Sequence, residues 1–140
     1  MCKIFMLVRK ENEIDFSKMY SNKVDVEIFV DVVKGLQAIK EYRPKLILID
    51  LATSRISGID LIKIIRSNPC NYHTKIIITA KNFNVKTLEN TFNLGADYFI
   101  KYPFSMEDIE KIYDGIKYFD DFTNIESIAS SNNFDWSIGI

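Results

Sequence analysis

Leu46-Ile-Leu-Ile-Asp50 decides the fold. Four consecutive apolar residues without alternation suit a strand buried on both faces, and such a strand belongs to a parallel sheet covered by helices. The run ends in one carboxylate. Eight residues later Gly58 opens a helical pattern of Ile59, Leu61, Ile62, Ile64 and Ile65. In an open doubly wound sheet, ligands and reacting groups are met at the carboxyl ends of the strands. Asp50 therefore stands where chemistry is expected.

On either side of this strand, apolar runs alternate with helical patterns. Cys2–Val8 reads as the first strand and Glu11–Tyr20 as a short helix. Val24–Val30 alternates apolar and polar residues, as a half-exposed edge strand does. Asp31–Tyr42 is helical, with Val33, Leu36 and Ile39 on one face, and Arg43-Pro44 stops it. Gly58–Ser67 ends at Asn68-Pro69. Lys75–Ala80 is the fourth strand. Val85, Leu88 and Phe92 face inward from a helix ended by Gly95, and Ala96–Tyr102 is the fifth strand. Ser105, with Asp108 three residues on, caps a last helix that buries Met106, Ile109, Ile112, Tyr113 and Ile116. Strict βα alternation with right-handed crossovers predicts an α/β, flavodoxin-like, doubly wound sheet of five parallel strands. The expected order is 2-1-3-4-5, with helices on both faces. Residues 1–118 make one domain. Residues 119–140 read as a C-terminal tail in which Phe134, Trp136, Ile138 and Ile140 alternate.

Composition narrows the function. The chain has 140 residues, 47% of them hydrophobic, which is enough for one packed core. A formal net charge of −1 argues against a nucleic-acid partner. No apolar run is long enough to span a bilayer. Cys2 and Cys70 form no metal or disulfide pattern, which fits a reduced, cytoplasmic setting. His73 is the only histidine, so histidine triads and multi-histidine metal sites are out of reach.

The residues now in hand resemble the receiver domain of response regulators, the CheY-like module of two-component systems. Four pieces carry the resemblance across roughly residues 2–118: Leu46–Asp50, Gly58, Ile76-Ile-Ile-Thr79-Ala80, and Leu94-Gly-Ala-Asp-Tyr-Phe-Ile-Lys-Tyr-Pro-Phe104. The resemblance implies a phosphoacceptor at Asp50, and phosphate-site residues at Thr79 and either Lys101 or Tyr102. An ungapped match on Pro103-Phe104 puts Tyr102 at the lysine position and Phe99 at the switch aromatic. A one-residue shift puts Lys101 and Tyr98 there instead, but needs a bulge before the proline.

The chain departs from the family after its first strand. Family members carry two or three carboxylates there to hold a divalent cation, whereas this chain has Val8-Arg9-Lys10. Mg²⁺ wants oxygen ligands, and Arg9 and Lys10 repel it. They could pair with Asp50 instead. The chain is thus expected to be a stand-alone, atypical receiver and no enzyme. It would signal through a protein partner, without a cofactor and without ordinary Mg²⁺-dependent phosphorylation. The expected contact or homodimer face is Val85–Asn93, Phe99–Tyr102 and Ser105–Lys117. The alternative is a phosphorelay receiver that is phosphorylated on Asp50 by a histidine kinase, with Mg²⁺ and with Glu11 or Glu13 replacing the lost acids. An alternative of another class is a small flavodoxin-like cofactor-binding protein. No glycine-rich phosphate loop follows the first strand to support it.

Overall fold

Five parallel strands lie in the order β2-β1-β3-β4-β5. They are β1 (Cys2–Leu7), β2 (Val24–Phe29), β3 (Leu46–Asp50), β4 (Lys75–Ala80) and β5 (Tyr98–Lys101). The helices are α1 (Val32–Tyr42), α2 (Gly58–Ser67), α3 (Val85–Asn93) and α4 (Met106–Asp120). The computed structural model describes residues 2–9, 18–53 and 55–120, the last four as backbone only. The expected helix at Glu11–Tyr20 falls mostly outside these residues, as does most of the tail.

The sheet divides the core into two layers because successive strand residues point to opposite faces. Leu46, Leu48, Ile77, Tyr98 and Ile100 meet Ile109, Ile112 and Ile116 of α4 on one face. Ile47, Ile49, Ile76 and Ile78 meet Val32 and Ile39 of α1, Leu61, Ile62 and Ile65 of α2, and Leu88 of α3 on the other. All five residues of β3 are buried. Full burial of one leucine or isoleucine side chain contributes about 1.5–3 kcal/mol, so this central strand anchors the domain. β2 is an edge strand as expected. Its acidic Asp25 and Glu27 lie within 3.8 and 3.4 Å of Lys3 Nζ on β1, and such charges discourage further edge pairing.

Each helix start is satisfied locally. Asp31 accepts from the Val33 and Lys34 amides, Ser57 from Asp60, and Asn84 from Thr87. Ser105 and Asp108 exchange bonds reciprocally, as a capping box does. Two helix faces differ from the sequence reading. In α1 the buried residues are Val32, Gly35 and Ile39, while Val33 is exposed. Gly35 lies against Leu7 and Phe29, so close that a Cβ there would sit 3.1 Å from Leu7 Cγ, and this contact turns Val33 outward. In α3, Leu88 and Thr91 are buried while Val85, in the first turn, is exposed. After α2, Pro69–Asn71 adds a 3-10 turn capped by Asn68, where Asn68-Pro69 in the sequence predicts only a helix stop.

Candidate functional site

β3 and β4 end side by side, with Asp50 paired in register to Thr79. Asp50 is buried, with 8% of the residue exposed. Its Oδ1 accepts the Ala52 amide at 2.9 Å, and its backbone oxygen accepts the Thr53 amide at 3.2 Å. The loop beyond is fixed in turn. The Leu51 amide donates to Thr79 O, and the Thr53 hydroxyl donates to Ile56 O at 2.7 Å. Gly58 is required at the loop's return, because a Cβ there would lie 2.6 Å from Leu51 Cα. Any side chain would push α2 off the loop that holds Asp50.

Thr79 is fully buried, and its hydroxyl has no hydrogen-bond partner. An unpartnered buried hydroxyl costs about 1–3 kcal/mol. Its neighbours in the strand are apolar, so the cost falls at the residue facing Asp50 across the β3–β4 pair.

A crevice of about 310 Å³ opens over these strand ends, lined by Arg9, Asp50, Lys81, Thr87 and Tyr102 among others. On β1, Leu7 pairs with Ile49 and Val8 is buried, so Arg9 is the first residue to reach the rim. Arg9 is exposed, and the ion pairs among the described residues do not include it. Lys10 lies outside the described residues. Asp50 is expected to pair with Arg9 or Lys10: no ion pair joins it to Arg9, although the two residues share the crevice, and the Lys10 half of that expectation falls outside the described residues.

The β5 register is continuous. Residues 77–80 pair one for one with 98–101, and the Tyr102 amide donates to Ala80 O at 3.2 Å. No bulge precedes Pro103. Tyr102 thus lines the crevice, and Lys101 is exposed at the strand end, not among the crevice residues. Tyr98 is buried in the layer under α4. Phe99 faces the other way and packs edge-on against Phe83, with ring centroids 4.7 Å apart. Lys81 was missed in the sequence. Its place directly after a strand ending in Thr79-Ala80, at the carboxyl end, was the signal that could have found it.

The donors here do not by themselves fit a divalent cation. Asp50 is the crevice's one carboxylate among the described residues, Arg9 stands beside it, and no group of three or more metal-ligating side chains is found among those residues. Glu11 and Glu13 lie outside them.

A family model described as the response regulator receiver domain matches residues 14–114. The signal receiver domain of a DNA-binding response regulator from Colwellia psychrerythraea superposes with a TM-score of 0.73 at 15% identity, over 83% of this chain and 98% of that one. The receiver domain of a Francisella response regulator gives 0.68 at 23% identity, over 78% and 90%. Response regulator Rcp1, solved in its Mn²⁺-bound form, gives 0.62 at 18% identity, over 89% and 97%. Rcp1 corrects the expectation of a receiver without any cofactor, with Mg²⁺ reserved to the alternative, since a metal-bound form of this fold exists. No described helix is long and apolar enough to cross a membrane. A family match over most of the chain, a sheet ordered 2-1-3-4-5 and an aspartate beside a threonine at its carboxyl edge lead to one conclusion: the chain belongs to the response regulator receiver domain family, whose members are signalling modules and not enzymes in the ordinary sense.

Proposed function

We propose that this chain is a cytoplasmic phosphorelay receiver that takes a phosphoryl group on Asp50 from the phosphohistidine of a histidine kinase. The observation that carries this reading is the Thr79 hydroxyl, buried and unpartnered on the residue paired with Asp50. A phosphoryl group on Asp50 supplies the acceptor oxygen that this hydroxyl lacks. A carboxylate oxygen of Asp50 attacks phosphorus, the P–N bond breaks, and the imidazole leaves as an acyl phosphate forms. The transition state spreads negative charge over the phosphoryl oxygens, so donors and cations around it determine the rate. The Ala52 amide holds Asp50 in place, and the Thr79 hydroxyl turns toward a phosphoryl oxygen.

Signalling follows from the crevice's connection to a surface. Phe83, in the loop after Lys81 and Asn82, packs on Phe99 and is itself part-exposed beside Val85. A change in that loop alters the face made by α3, β5 and α4, which is the face offered to a partner or a second copy.

Because a receiver of this fold is known in a Mn²⁺-bound form, the test supplies a divalent cation. The protein is incubated with phosphoramidate, a small donor with a P–N bond, and Mn²⁺, and its intact mass is measured. One added phosphoryl group, lost in Asp50→Asn, is the expected result. No adduct, or an adduct retained in Asp50→Asn, overturns the reading.

A further inference from the structure

The crevice places two cationic side chains around Asp50, and they enter from different sides. Arg9 comes from β1, which borders β3 on one side, and Lys81 follows β4, which borders it on the other. Neither takes part in an ion pair among the described residues. Lys81 stands two residues beyond Thr79 on one continuous backbone. It also lies one step past the last β4–β5 pair, Ala80 with Lys101, which makes Tyr102 its neighbour on β5. Tyr102, a phenol, brings no ammonium to the crevice, and Lys101 does not line it.

From this arrangement we infer that Lys81 is the phosphoryl-binding cation of the receiver, acting with the Thr79 hydroxyl from the same strand end. The inference rests on the phosphoacceptor reading of Asp50 and deepens it. A hydroxyl and an ammonium separated by one alanine reach different oxygens of a single phosphoryl group from the β4 side. The β1 side of Asp50 is left to Arg9. Lys81 acts through its position at the strand end. It gives and takes no proton, and it offsets charge that grows on oxygens already bonded to phosphorus. An ammonium on a flexible stem suits this role as a point charge. It also predicts salt sensitivity, because Lys81 is exposed.

The test uses the full chain with phosphoramidate and Mn²⁺, following the rate of Asp50 labelling by mass. Lys81→Ala slows labelling on the order of tenfold, and its thermal melt matches wild type because Lys81 is exposed. Lys81→Arg keeps most of the rate. Tyr102→Lys, introduced into Lys81→Ala, restores it by returning a cation from the adjacent strand. Raised ionic strength slows wild type and leaves Lys81→Ala nearly unchanged. Wild-type labelling with Lys81→Ala equally fast overturns the inference and leaves the phosphoacceptor reading standing. An Arg9→Ala variant that alone loses the rate assigns the role to the β1 side and overturns it too. If wild type is not labelled at all, the phosphoacceptor reading fails and this inference fails with it.

Discussion

The two ends of the sheet carry charged residues and open cavities, yet they are built on opposite terms. At the amino ends of β3, β4 and β5 lies the larger cavity, about 620 Å³, with Lys45, Arg66, His73, Lys75 and Asp97 on its walls. Its Arg66 and Asp97 are spent on one another and on backbone groups, while Lys45, His73 and Lys75 enter no ion pair among the described residues. Arg66 donates to Gly95 O, to Asn71 O and to Asp97 Oδ2, each at 2.9 Å. Asp97 Oδ2 also accepts the Ile76 amide. Nearby, Asn71 donates its Nδ2 to Ile65 O and keeps an unpartnered Oδ1. At the carboxyl end the crevice is half that size. There Thr79 keeps an unpartnered hydroxyl, and Arg9 and Lys81 remain outside any described ion pair. Cavity size therefore does not locate function in this molecule. The unspent polar groups beside a buried carboxylate do.

If the amino end is structural, breaking it should cost the most stability and the least activity. Arg66→Ala removes three hydrogen bonds and the partner of a part-buried Asp97. We expect a loss of about 2–3 kcal/mol in denaturant melts, with Asp50 labelling kept. Equal stability would remove the contrast.

The carboxyl end should show the reverse balance. Gly58→Ala, whose new Cβ meets backbone, should cost about 1–3 kcal/mol and also slow labelling, because the loop holding Asp50 must shift. Thr79→Val is the sharper test. Removing an unpartnered buried hydroxyl should leave stability unchanged or raise it by up to about 1 kcal/mol, while labelling slows roughly tenfold. A clear loss of stability would mean that the hydroxyl serves the fold.

The smallest effect belongs to Lys23–Asp114, an exposed pair at 2.8 Å between the start of β2 and α4. The hydrogen bond and charge of Asp114 raise the Lys23 pKa above its ordinary 10.5. The pair's contribution is thus present at neutral pH and lost only as pH climbs through the raised value. Wild type and Lys23→Ala should differ little in melts near pH 7 and converge in strong alkali. A difference that grew with alkali would contradict the assignment.

The legible parts of this molecule were those written locally. Leu46–Asp50 announces a two-face strand by composition alone, and Ser105 with Asp108 announces a cap by spacing. Asp50 is found because it ends an apolar run, and Thr79 because the segment Ile76–Ala80 resembles the family's phosphate-site strand. What stayed hidden depends on pairing. Whether Lys101 or Tyr102 meets the crevice turns on a one-residue register that only the β4–β5 ladder fixes. The Arg66–Asp97 clamp joins residues 31 apart in sequence and leaves no local pattern. The outward turn of Val33 depends on how closely Gly35 meets β1 and β2.

The most direct test is the position of the phosphoryl group. Wild type treated with phosphoramidate and Mn²⁺ is reduced with borohydride, which converts an acyl phosphate at aspartate to a stable product, and then digested and sequenced by tandem mass spectrometry. The account predicts the modified residue at Asp50 and nowhere else. Modification confined to another residue, or none at Asp50 despite an added phosphoryl mass, would contradict it.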